Sequence, residues 1–163
     1  MRRHTILAAA LIITAVCWPA PAGAQTETFV TGAGGGLFPP GVSYLGLSLS
    51  SVQLGMGLGV AGTWAVGQFQ TTLTGVTTLG QEHNIVVEGL VNASVPSGPN
   101  TAIFSGISTV DPGDGTPPVA GVPFTASVAA NADGTGSLAL TLGVTSVPAA
   151  AINEGYVTVQ QLQ

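Results

Sequence analysis

From Leu45 to Val60 the chain sets an apolar residue at every second position: Leu45, Leu47 and Leu49, then Val52, Leu54, Met56, Leu58 and Val60. A period of two marks a strand that buries one face. The phase slips at Ser50-Ser51, which predicts a bulge or a corner between two strands. Opposite the second run lie Gly55, Gly57, Gly59 and Ala61. A strand face without side chains lets another backbone, an aromatic ring or a second sheet approach closely.

Shorter runs carry the same rhythm. Ile85, Val87 and Val91 share a face with Glu88 opposite, and Ile103, Ser105 and Ile107 alternate with Phe104, Gly106 and Ser108. Val122, Phe124, Ala126 and Val128 line one side of a further run, and Leu138, Leu140 and Leu142 one side of the next. Thr63–Val66 and Phe69–Thr74 have strand composition, and Tyr156–Leu162 reads as a closing strand. Turn chemistry separates these runs at Pro96-Ser97-Gly98-Pro99, across Asp111–Pro118, and at Asn131-Ala132-Asp133-Gly134, the clearest hairpin signal. Only Pro148–Asn153 has room for a helical turn.

Strands at this spacing predict an all-β fold, an antiparallel β-sandwich of Ig-like or jelly-roll-like form, with a small β-barrel as the alternative. Residues 44–163 are expected to form this single domain. Residues 25–43, containing Gly32-Ala33-Gly34-Gly35-Gly36 and Pro39-Pro40, read as a Gly/Pro-rich N-terminal arm, either loosely tethered or an edge strand followed by a loop.

Arg2-Arg3, the apolar run Ile6–Cys17 and the small-residue pattern Ala22-Gly23-Ala24 predict a cleaved signal peptide over residues 1–24. The expected location is extracytoplasmic: periplasmic, secreted or cell-surface. Cys17 leaves with the leader, so disulfides and thiolate metal sites are closed to the mature chain. Arg2 and Arg3, the only Lys or Arg residues, leave with it too, and the net charge moves from −5 to −7. Binding to nucleic acid rests on Lys and Arg neutralising phosphates, so that partner is excluded. Anionic lipid headgroups are disfavoured for the same reason. No transmembrane helix is expected after signal removal, because Ser48, Ser50, Ser51 and Gln53 interrupt the longest uncharged stretch.

Catalytic chemistry finds few footholds. His83 is the single histidine after the leader, and no serine stands in a GxSxG elbow. Gly57, Gly59 and Gly62 spell GxGxxG, but Thr63–Val66 directly after them has strand composition where a nucleotide-binding motif requires a helix. No catalytic residue is assigned, and the chain is not expected to be an enzyme. Asp111, Asp114, Asn131 and Asp133 are candidate calcium ligands, since calcium takes carboxylate and carbonyl oxygens, although Asp and Asn before Gly are also what plain turns use. No other cofactor is expected. Trp64, Tyr44 and Tyr156 are the candidate aromatic platforms for a ligand.

The expected function is structural: an exported, non-catalytic protein that assembles at a surface with itself or with other surface proteins. Soluble β proteins guard their sheet edges with lysine, and this chain has none to use. Its arm suggests strand addition to a neighbouring copy. The alternative is a monomeric extracellular module for a glycan or small ligand, calcium-dependent if the acidic loops bind metal.

Overall fold

The computed structural model describes residues 27–162; the expected signal peptide lies outside them. Nine strands occur in order: β1 (Glu27–Leu37), β2 (Ser43–Tyr44), β3 (Leu47–Ala61), β4 (Trp64–Val76), β5 (Glu82–Val95), β6 (Thr101–Asp111), β7 (Val119–Ala130), β8 (Gly136–Leu142) and β9 (Thr145–Leu162). From β3 to β9 each strand pairs antiparallel with the next, and β1 pairs with both β9 and β3. Eight strands therefore close into a barrel, with two-residue β2 as an extra strand against β3. The all-β antiparallel expectation holds in its barrel form. The sandwich, expected first, is replaced: one sheet curls until its own first and last strands meet.

Curling has local causes. Register shifts interrupt the ladders at Leu49/Ser51, Gly35/Gly36, Val91/Ala93, Ser108/Thr109 and Leu138/Leu140. Each shift adds twist and bends the strand, which is how a sheet turns the corners of a barrel. The slip read at Ser50-Ser51 is one of them, inside one continuous strand.

Eight strands enclose an interior just wide enough for side chains to fill. Here they fill it. Val52, Leu54 and Leu58 of β3 point inward with Leu73 of β4, Ile85 and Val87 of β5, Val128 of β7 and Ile152 of β9. At the centre, Phe69 stacks on Phe124 (centroids 5.4 Å apart), and Phe104 meets both edge-on at 5.6 and 6.4 Å. Such pairs add roughly 0.5–1.5 kcal/mol each beyond their buried area. Buried hydroxyls are satisfied by carbonyls: Thr71 Oγ1 donates to Gln53 (2.7 Å), Ser108 Oγ to Val122 (2.9 Å) and Ser94 Oγ to Gly62 (2.9 Å). Among the described residues no buried side-chain polar atom lacks a partner.

The segment read as an arm needs correction. Glu27–Leu37 is neither tethered loosely nor an edge, because it is hydrogen-bonded on both sides as the strand that closes the barrel. Its glycines serve that closure. A Cβ on Gly34 would run into the Glu154 carbonyl, and one on Gly36 into the Ala151 carbonyl. Pro148–Asn153, with room for a helical turn, lies wholly within β9. Among the described residues no helix is long and apolar enough to cross a membrane.

The barrel has two unlike ends. Glu27 and Leu162 are register partners at one, called here the terminal end, with the turns 62–63, 96–100 and 131–135. The far end holds the connections 38–46, 77–81, 112–118 and 143–144. Buried Phe38 and Tyr44 plug the far end, fixed by Phe38 N–H donating to the Ser50 carbonyl (3.1 Å) and Leu49 N–H to Val42 (2.9 Å).

Candidate functional site

The four candidate calcium ligands do not converge. Asp111 and Asp114 sit at the far end, Asn131 and Asp133 at the terminal end, with the 12 residues of β7 between the pairs. That is roughly 40 Å of strand. Each side chain is engaged in its own turn. Asp111 Oδ1 accepts from Gly113 N–H (2.9 Å). Asp114 Oδ1 accepts from the N–H (2.9 Å) and hydroxyl (2.6 Å) of Thr116, and Asp133 Oδ1 from those of Thr135 (3.0 and 2.6 Å). Asn131 Nδ2 donates to Thr135 Oγ1 (2.8 Å). The threonine hydroxyl first, and its N–H second, hold the Asp114 and Asp133 carboxyls below their ordinary range. Among the described residues no three His, Cys, Asp or Glu side chains cluster so as to hold a metal ion.

The aromatic candidates separate as well. Tyr44 is 6% exposed and belongs to the far-end plug, where burial raises its hydroxyl pKa. Trp64, 64% exposed, opens β4 at the terminal end, and Tyr156, 50% exposed, points outward from β9. Through the ladder, Trp64 lies opposite Ala61 and so on the row of Glu27, whereas Tyr156 lies on the row of Ala33. Those rows are six positions apart along β1, about 20 Å. His83 is half-buried where β5 begins, at the far end.

What the fold does assemble is an outer face on β1, β3 and β4. Gly55, Gly57 and Gly59 project outward in line, and a Cβ on any of them would meet nothing within 4 Å among the described residues. Ladder rows set this lane between taller neighbours: Phe29–Gly59–Val66, Thr31–Gly57–Gln68 and Ala33–Gly55–Gln70. Exposed Phe29, Trp64 and Val66 rim it at the terminal end. No residue from Thr28 to Gln81 is charged. The approach expected over the glycine face is therefore not made by any described part of this chain. Phe29 went unread as part of the face because it sits in the glycine-rich segment; its alternation with Val30 and Thr31 is the signal that could have placed it outward.

No protein-family model, curated protein sequence or solved structure matches this chain.

Proposed function

We propose that the chain is an exported, non-catalytic β-barrel with a structural role at the cell surface, acting through contacts of its outer face with further copies of itself or with other surface proteins. The observation that carries this reading is the side-chain-free lane of Gly55, Gly57 and Gly59, bare and uncharged between Phe29 and Val66. Inward side chains pack the centre of the barrel, and the contacts proposed here are those of its outer face. Strand addition through the expected arm loses its basis, since both edges of β1 are taken. Face-to-face contact replaces it. The lane and its rim are self-complementary: each copy offers aromatic rings and a socket without side chains, as a two-fold interface requires. Like-charged copies meet most easily where neither carries charge, and β3 and β4 carry none.

The outward side of β4 presents Gln68, Gln70, Thr72 and Thr74 between Trp64 and Val66 at one end and Val76 at the other, with Phe69, Thr71 and Leu73 inward. A membrane-spanning barrel has the reverse distribution, an apolar band outside and a polar lumen.

Sedimentation of the secreted protein tests the proposal. Concentration-dependent association is expected, and Gly57→Glu, whose side chain enters open space, is expected to weaken it at least tenfold. A clean monomer at every concentration overturns the reading. The exposure of Trp64 favours a second one, a glycan-binding module; retention on a neutral polysaccharide, lost in Trp64→Ala and tested with and without EDTA, would move the assignment there.

A further inference from the structure

Two hairpins in this barrel share one geometry and differ at one telling position. At the terminal end Asn131 N–H donates to the Thr135 carbonyl (2.8 Å) and Gly134 N–H to the Asn131 carbonyl (3.1 Å). Gly134 has φ +86°, and Asp133 stands before it. At the far end Thr77 N–H donates to Gln81 (2.8 Å), Gly80 N–H donates to Thr77 (2.9 Å), and Gly80 has φ +79°. In the place of Asp133 stands Leu79, 85% exposed.

Two more tips at the far end break the same rule. Leu45, 66% exposed, turns from β2 to β3 with φ +50°, the one described non-glycine residue at positive φ. Asn or Gly suits that left-handed position, and a leucine there is strained. Val144 follows Gly143 in the two-residue turn to β9 and is 101% exposed. Among the described residues, the turns of the terminal end, Gly62-Thr63, Pro96–Asn100 and Asn131–Thr135, carry no aliphatic tip. Turn positions ordinarily take Gly, Asn, Asp or Ser. Three aliphatic tips at one end, one of them held against backbone preference, point to a ligand that rewards them.

We propose that the far end docks on a lipid surface, with Leu45, Leu79 and Val144 entering the headgroup boundary of a neutral, zwitterionic bilayer. A protein partner must supply a shaped pocket for every isolated tip. A lipid surface accommodates tips projecting separately from a rigid frame, because binding follows apolar area buried, not shape. Charge selects the lipid. Glu82, Asp111 and Asp114 belong to this end, and no Lys or Arg occurs among the described residues, so anionic headgroups are repelled.

Flotation of the secreted protein with phosphatidylcholine vesicles, and with vesicles containing phosphatidylglycerol, tests the docking. Wild type is expected to float with the first and at least tenfold less with the second. The combined variant Leu45→Asn, Leu79→Asp, Val144→Asn is expected to lose flotation at least tenfold with an unchanged circular dichroism spectrum, since each replacement suits its turn. Ser127→Glu, on the outer face of β7, is expected to float as wild type does. Failure of the wild type to float on phosphatidylcholine overturns the proposal, as does equal flotation of the combined variant. Loss of self-association in that variant, with no flotation by the wild type, assigns the tips to a second copy and overturns it too.

Discussion

At the scale of single residues, glycine has two opposite jobs in this barrel. Gly57 faces open space in an extended strand, whereas Gly36 lies under the Ala151 carbonyl where β1 meets β9. Gly57→Ala is therefore expected to stabilise the fold by about 0.5–1 kcal/mol, since glycine gives up more backbone freedom on folding. Gly36→Ala is expected to destabilise it, because the obstacle is backbone and cannot swing aside. Urea melts of the two variants should move in opposite directions. Titration works at the same scale. Asp133 is held below its ordinary value of 3.8 by the Thr135 hydroxyl, so its contribution to stability is present above that value and disappears as pH falls through the lower, folded-state pKa. Thr135→Ala is expected to raise the Asp133 pKa toward 3.8, read from its carboxyl carbon by NMR. An unmoved titration would show that the N–H alone holds the carboxylate.

At the scale of elements, β1 decides the architecture. Removing residues before Phe38 is expected to abolish the cooperative thermal transition, because it bares the edges of both β3 and β9. A truncated chain that melts as sharply as the full one would return this segment to the status of an arm. The alternating strands were legible from sequence: the inward faces of β3, β5, β7 and β8 are those read from Leu54, Val87, Phe124 and Leu140. Two elements were not. Gly32–Gly36 signals flexibility to any local reading, and only the close backbone approach of β9 explains it. Pro148–Asn153 has room for a helical turn, yet pairing of Ala150–Ile152 with β8, and of Ala151 and Ile152 with β1, extends it. On β6 Ala102, Phe104 and Val110 point inward and Ile103 and Ile107 outward, so two of the strand's largest aliphatics are left on the outer face while Phe104 completes the aromatic centre. The candidate site was half legible: the bare face of β3 stood out, but its neighbours depend on which strands flank it. Closure belongs to accumulated twist and shear, and no window of sequence contains it.

At the scale of the whole molecule, one cluster holds every strand of the closed barrel. Phe104→Ala removes a ring touching both Phe69 and Phe124, and a loss of about 3–5 kcal/mol is expected by urea denaturation. A loss below about 1 kcal/mol would mean the centre collapses onto the space. The surface obeys one sign of charge. With seven carboxylates and no cation among the described residues, copies repel at long range, and salt screens that repulsion within a Debye length of about 10 Å at 0.1 M. Self-association is therefore expected to strengthen as salt rises from about 0.02 to about 0.5 M. Weakening with salt would indicate an attractive ionic contact, which these residues cannot supply between identical copies.

Pairing of Glu27 with Leu162 sets the first and last of the described residues side by side on adjacent strands. Their Cα atoms are about 5 Å apart, within reach of a few glycines. A circular permutant joined there and reopened between Gly113 and Asp114 should fold to the same barrel, since no ladder is cut. Translation order is then incidental to this architecture: any strand can come off the ribosome first, provided the ring can be completed.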